Sequence, residues 1–310
     1  MSLKTDVVVL MAGTLFAISG LGASELAAQA GPGPQQGGGG GGGGGGQQIV
    51  LGPDDVPFAP PAPEGFNVAR EGIPQGRVET VEYESKSVGT TRRALVYTPP
   101  NFDPNQRYPV LYLLHGIGDD ETSWQEKGNA GTILDNLLAD GLMVPMIVVM
   151  PNGRAQPNDR VEGNGMASAP AFARFDRDLI DDLIPFIEAR YPTRTDREGR
   201  ALAGLSMGGG QSFNFGLSNL ELFAWIGGFS SAPNLMPPAE LIPDPARVAQ
   251  MVKLLWVSCG DRDGLFNNSR NLHVYLRDNN VPHIWHVDSG GHTWPVWTND
   301  LYHFAQRIFK

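Results

Sequence analysis

Apolar and polar positions change period repeatedly from about residue 78 onward, between stretches that suit a strand and stretches that suit a helix. Arg77 to Ser85 and Arg92 to Thr98 are β-prone, and in the second Ala94 and Val96 alternate with Leu95 and Tyr97. Pro99, Pro100 and Pro104 then break regularity. Pro109 to Leu114 is a continuous apolar run, as expected of a strand covered on both faces, and Met146 to Met150 is another, stopped by Pro151-Asn152-Gly153. Ala201 to Leu205, Ala224 to Phe229, Leu254 to Ser258 and His283 to Val287 complete the strands. Helical spacing recurs in Thr132 to Asp140, and again in Phe172 to Tyr191, where Phe175, Leu179, Leu183 and Phe186 form a stripe opposite acids. A glycine-rich helix starts at Met207, and Leu265 to Asn279 and Trp294 to Phe309 are the last two helices. Such alternation predicts an α/β domain over residues 68–310, with a mainly parallel sheet and helices on both faces. Strand order is not set by pattern.

Upstream of the domain the pattern is of another kind. Met1 to Ala30 reads as a secretory signal: Lys4 is the basic start, Val7 to Leu21 is apolar, and Ala28-Gln29-Ala30 supplies a small-x-small cleavage pattern. A retained membrane anchor is the alternative, but Gly13, Gly20 and Gly22 interrupt a stretch already short for a span. Residues 31–67 form a Gly/Pro-rich linker, with an unbroken glycine run from Gly37 to Gly46 that buries no apolar surface and behaves as a flexible tether. The expected location is secreted or periplasmic, free of the membrane after cleavage. Cys259 is the only cysteine, which excludes an internal disulfide and lipidation beside the cleavage site. With a formal charge of −10 and no basic run, the chain is a poor partner for nucleic acid or an anionic membrane.

The candidate chemistry begins at Gly204-Leu205-Ser206-Met207-Gly208, a G-x-S-x-G pentapeptide. A serine presented on a sharp strand-to-helix turn needs neighbours without bulk two residues away, and the following helix aims N–H groups at the reacting oxygen. About one chain of this length in ten carries the pentapeptide by chance, so context decides. Here a buried strand precedes Ser206 and Met207-Gly208-Gly209-Gly210 opens a helix. A serine hydroxyl needs a base. Of six histidines, His292 lies in a loop leaving the last strand, after the acid candidates. His283 and His286, three apart in a strand, face opposite ways and cannot pair as metal ligands. His273 and His303 read as surface or packing residues. For the acid, Cys259-Gly260-Asp261-Arg262-Asp263-Gly264 offers Asp263, with Asp261 as the alternative. The order Ser206, Asp263, His292 is that of α/β-hydrolases. Met207 supplies one N–H for an oxyanion hole, and Ile117, in His115-Gly116-Ile117-Gly118, supplies the other. The Gly116-x-Gly118 pair lacks the third glycine of a dinucleotide site, no Walker pattern exists, and one cysteine without H-E-x-x-H argues against zinc.

Four blocks in this order, Tyr108-Pro-Val-Leu-Tyr-Leu-Leu-His-Gly116, Val148-Val-Met-Pro-Asn-Gly153, Ala203-Gly-Leu-Ser-Met-Gly-Gly-Gly210 and Gly290-Gly-His-Thr-Trp-Pro-Val-Trp297, carry a resemblance. From about Val78 to Phe309 the chain resembles the esterase branch of the α/β-hydrolases. Within it, the chain is similar to feruloyl and acetyl-xylan esterases of carbohydrate esterase family one, such as the esterase domain of xylanase Z. The resemblance implies Ser206, Asp263 and His292 as a triad, Ile117 and Met207 as the oxyanion hole, no cofactor, and plant-wall polysaccharide esters or small aromatic esters as substrates. No fused xylanase or carbohydrate-binding module accompanies these blocks, which loosens the tie to xylan. Siderophore esterases, thioester hydrolases and acyltransferases share the family. Trp124, Phe229, Trp294 and Trp297 lie near the motifs and could line a slot for a planar acyl group, favouring feruloyl over acetyl. Oligomeric state is not legible.

Overall fold

The computed structural model describes residues 49–163 and 165–310. The segment expected as a secretory signal and the glycine run lie outside the described residues.

Eight strands form one sheet: β1 (Arg77–Ser85), β2 (Thr90–Thr98), β3 (Val110–Leu114), β4 (Ile147–Pro151), β5 (Arg200–Leu205), β6 (Trp225–Phe229), β7 (Leu254–Gly260) and β8 (Ile284–Asp288), in the order β1-β2-β4-β3-β5-β6-β7-β8. β1 pairs antiparallel with β2 and β2 with β4, and every later pairing is parallel. This is the α/β-hydrolase fold. The continuous apolar runs are buried on both faces because alternate residues enter two separate cores. Val110, Tyr112 and Leu114 face a core closed by Leu179, Leu183, Phe213 and Leu272. Leu111 and Leu113 face one closed by Ile133, Leu137, Leu301 and Phe304. Helices Met207–Ser218 and Phe266–Asp278 therefore cover one face, and Ala130–Ala139 and Trp294–Ala305 the other.

Two regions depart from the expectation. The single helix expected over Phe172 to Tyr191 is broken into Ala169–Ala173, Phe175–Arg177, a wide-turn π segment Asp178–Leu183, and Ile184–Arg190. Pro185 has no N–H to donate to the carbonyl of Asp181, which favours a wider turn just before it. The proline-rich stretch expected as linker is, over residues 49–67, held along the body. The Asp55 carboxylate accepts from Trp285 Nε1 at 3.0 Å and lies 3.2 Å from Arg270, Phe58 N donates to His286 Nδ1 at 3.0 Å, and Ala62 N donates to Asn299 Oδ1 at 2.7 Å. Val287 N donates to Val56 O at 3.2 Å, so this strap partly covers the β8 edge.

β3 and β5 are neighbours whose chains continue to opposite sides of the sheet, β3 to β4 and β5 to β6. A crevice opens beyond the C-terminal ends of strands at such a switch point. The loop from His115 and the turn at Ser206 both emerge there.

Candidate active site

Ser206 stands between β5 and the helix Met207–Ser218 with φ 54° and ψ −117°. A side-chain-bearing residue held at positive φ costs roughly 1–3 kcal/mol, and surrounding contacts must impose it. Its N donates to Phe229 O at 2.9 Å and its carbonyl accepts from Ala232 N at 3.0 Å, clamping the turn to the end of β6. The flanking glycines are required by contact. A Cβ on Gly208 would lie 2.6 Å from His115 O and 2.7 Å from Leu114 O, and one on Gly204 would lie 2.8 Å from the Gly208 main chain.

His292 leaves β8 just before the helix Trp294–Ala305, and Asp263 follows β7. Ser206 Oγ lies 2.9 Å from His292 Nε2, and His292 Nδ1 lies 2.8 Å from Asp263 Oδ2. An ionised carboxylate only accepts, so the imidazole hydrogen sits on Nδ1 and Nε2 is free to take the serine proton. Asp263 is fully buried, and its Oδ1 accepts from Leu265 N at 2.8 Å. Burial raises its pKa, but the hydrogen bond and charge of His292, the Leu265 N–H and Ser230 outweigh it and hold the carboxyl below the usual aspartate value. Asp261, the alternative acid, is occupied elsewhere: its Oδ1 accepts from Gly290 N at 2.8 Å and pairs with Arg262. The imidazole packs edge-on against Trp297 at 4.9 Å between centroids, with about a third of its side chain open to solvent.

Gly116 lies against the serine, since a Cβ there would be 3.2 Å from Ser206 Cβ. The chain at Ile117 thus runs beside the nucleophile candidate. Met207 is the first helical residue, so its N–H has no intrahelical acceptor.

The four aromatic candidates divide. Trp124 and Phe229 are 1% and 0% exposed, and Trp124 Nε1 donates to Leu114 O at 2.9 Å. They pack edge-to-face with each other and present no face to a ligand. Trp297 is buried behind His292, and Trp294 alone of the four is half-buried, lying edge-on to Trp124 and Trp297. Their nearness in sequence to the motifs placed them beneath the site because strand ends and helix starts also carry core residues. A different apolar group flanks Ser206: Phe172, Met207 and Ala232, with Ile117, Ala169 and Leu265 packed on them and partly exposed. Phe172 and Ala169 come from the broken helix after β4, and no local motif marks them.

His273, His283, His286 and His303 take no part. His273 Nδ1 meets His283 Nε2 at 2.8 Å, and His286 and His303 are buried with rings 5.7 Å apart.

A strand-turn-helix serine with a histidine and a buried carboxylate, at the C-terminal ends of parallel strands, defines the class as a serine hydrolase of the α/β-hydrolase fold. Residues 85–308 match the Esterase family, described as "Putative esterase", and the chain belongs to that family. An endo-1,4-β-xylanase/feruloyl esterase of Xylanibacter ruminicola is 35% identical over 257 residues, covering 81% of this chain and 34% of that protein. An esterase of Mycobacterium tuberculosis is 30% identical over 191 residues, 61% of this chain and 39% of the relative, so the chain spans well under half of either. Among solved structures, a carbohydrate esterase family one ferulic acid esterase from Anaeromyces mucronatus superposes with a TM-score of 0.72 at 27% identity, covering 82% of this chain and 98% of that one. No helix of the described residues is long and apolar enough to cross a membrane.

Proposed function

We propose that this enzyme removes feruloyl groups from plant-wall polysaccharide, outside the cytoplasm, through Ser206, His292 and Asp263. The observation that carries the mechanism is the relay from Ser206 Oγ to His292 Nε2 at 2.9 Å and from His292 Nδ1 to Asp263 at 2.8 Å. His292 takes the hydroxyl proton as Ser206 Oγ bonds to the ester carbonyl carbon, and the carbonyl oxygen becomes an oxyanion facing the N–H groups of Ile117 and Met207. Collapse expels the sugar alkoxide, which receives the proton from His292 and leaves Ser206 acylated. Water, deprotonated by His292, then releases the acid and restores the serine. Asp263 stays ionised and stabilises the imidazolium in both halves.

The feruloyl assignment is supported by the two relatives named for that activity and by the partly exposed Ile117, Ala169 and Leu265, an apolar surface beside Ser206 suited to a planar acyl group. Secretion is supported by the N-terminal sequence pattern. The test is hydrolysis of methyl ferulate beside acetylated xylan, wild type against Ser206→Ala. Ferulate release well above acetate, lost in the variant, is the expected result. Acetate release alone would move the substrate to acetyl-xylan, and turnover that survives Ser206→Ala would overturn the mechanism.

A further inference from the structure

Two buried side chains outside the triad converge on the main chain of Ile117. His115 is 1% exposed, and its Nε2 accepts from Gly153 N at 2.9 Å. That contact places the ring hydrogen on Nδ1, which donates to the Gly116 carbonyl at 2.7 Å, and Asp119 N donates to the same oxygen at 3.2 Å. In a trans peptide C=O and N–H point opposite ways, so holding Gly116 O toward His115 turns the Ile117 N–H away from it. A hydrogen bond accepted by this carbonyl also polarises the same peptide unit and strengthens its N–H as a donor.

Arg154 fixes the next peptide. Its side chain is fully buried, and Nη2 donates to Ile117 O. Nη1 donates to Asp119 O at 3.3 Å and Asp159 O at 3.0 Å, Nε donates to Ser168 Oγ at 2.7 Å, and the guanidinium lies 5.2 Å from the centroid of the Phe172 ring. None of these acceptors is a carboxylate. Burying a cation on neutral acceptors costs desolvation that an apolar side chain of similar size would not, so packing alone does not account for Arg154.

We propose that His115 and Arg154 are positioning residues that lock the two peptide planes flanking Ile117 and so aim its N–H at the developing oxyanion. This rests on the proposed mechanism but not on the acyl group. Neither residue touches substrate, and each acts through the loop backbone.

The test compares Arg154→Met, Arg154→Lys and His115→Gln with wild type in the full chain, using 4-nitrophenyl acetate turnover and inhibition by benzeneboronic acid, which forms a tetrahedral adduct on the serine. Thermal midpoints are recorded alongside. Arg154→Met should lower kcat about ten- to hundredfold, short of the loss of an oxyanion donor itself. KM should stay within about threefold, and boronate affinity should fall by the factor seen in kcat. Arg154→Lys, which keeps charge but not the fork, should recover part of the loss. If Arg154→Met does not fold, the lysine and glutamine variants carry the same comparison. Unchanged boronate affinity in folded variants, or wild-type kcat, overturns the proposal. Ser206→Ala is the separate control: turnover there refutes the mechanism itself, whereas abolished turnover with intact boronate affinity in the Arg154 and His115 variants refutes only the positioning role.

Discussion

Replacing Asp263 by asparagine separates the two acid candidates and tests the direction of the proton relay. Asp263 Oδ1 accepts from Leu265 N at 2.8 Å, and an amide oxygen can keep that bond. The amide nitrogen must then face His292 Nδ1, where Oδ2 lay 2.8 Å away. Two donors cannot meet, so the ring changes tautomer, with Nδ1 accepting and the hydrogen on Nε2. Nε2 then no longer takes the proton of Ser206 Oγ. The equivalent change in a serine protease triad lowers kcat about 10⁴-fold, roughly 5.5 kcal/mol of barrier. We expect about that loss in Asp263→Asn, with the fold intact because the shape and the Leu265 bond survive. Asp261→Asn should change kcat less than about threefold, since an amide oxygen still accepts from Gly290 N and the lost partner, Arg262, is a largely exposed side chain. The assay is kcat and KM on 4-nitrophenyl acetate for both variants, with circular dichroism to verify folding. Asp263→Asn within tenfold of wild type, or Asp261→Asn as damaged as Asp263→Asn, would refute the reasoning.

Gly208→Ala should cost about 2–4 kcal/mol and most activity, because its Cβ meets two main-chain carbonyls that cannot move without the elbow; a thermal midpoint near wild type would count against it. Asp55→Ala strips partners from Trp285 Nε1 and Arg270 and should lower stability by about 2–3 kcal/mol in urea titration while sparing kcat at 25 °C; a change under about 0.5 kcal/mol would show that the strap is not held there. Burial, then neighbouring charges, lowers His286 and His303 to about 4. The unfolded chain therefore binds protons that the folded one refuses between about pH 6.5 and 4, and stability should fall as pH drops through that window; a denaturation midpoint flat over it would contradict the burial. Asp263 works at lower pH: its depressed folded pKa stabilises above the ordinary aspartate value of about 3.9 and is lost as pH falls below it, so Asp263→Asn should flatten the most acidic part of the curve.

Much of the fold was legible because the strands are buried on both faces, and continuous apolar runs such as Val110–Leu114 and Ile147–Pro151 have few other readings. Ser206 was legible because a strained turn imposes glycine at two fixed offsets, a chemical constraint written locally. The breaks before Ile184 were not, since inserting a wide turn shifts the apolar stripe by less than the tolerance of a helical pattern. Trp124 and Phe229 were assigned to the substrate side because a motif gives position along the chain but not which face of the sheet a side chain enters. Phe172 and Ala169 left no mark, since their nearness to Met207 depends on a long return after β4. Arg154 follows Pro151-Asn152-Gly153 and reads as an ordinary loop residue until its burial is known.

The loops that carry Asp263 and His292 are joined by bonds of their own besides the contact between the two side chains. Asp261 N donates to Asp288 O and Arg262 N to Gly290 O, both at 2.8 Å, and the Asp261 carboxylate takes Gly290 N, also at 2.8 Å. The loops after β7 and β8 are thus stitched together just before the chain reaches the His292–Asp263 contact. A Cβ on Gly260 would lie 2.4 Å from Gly290 O, so the approach requires glycine there. Asp261 therefore holds the second loop in register while Asp263 faces the imidazole. Two aspartates separated by one residue take different work because successive side chains in this turn point to different partners. The same stitching leaves Asp263 in place when His292 is removed, so loss of the base should leave a preformed site rather than a collapsed one.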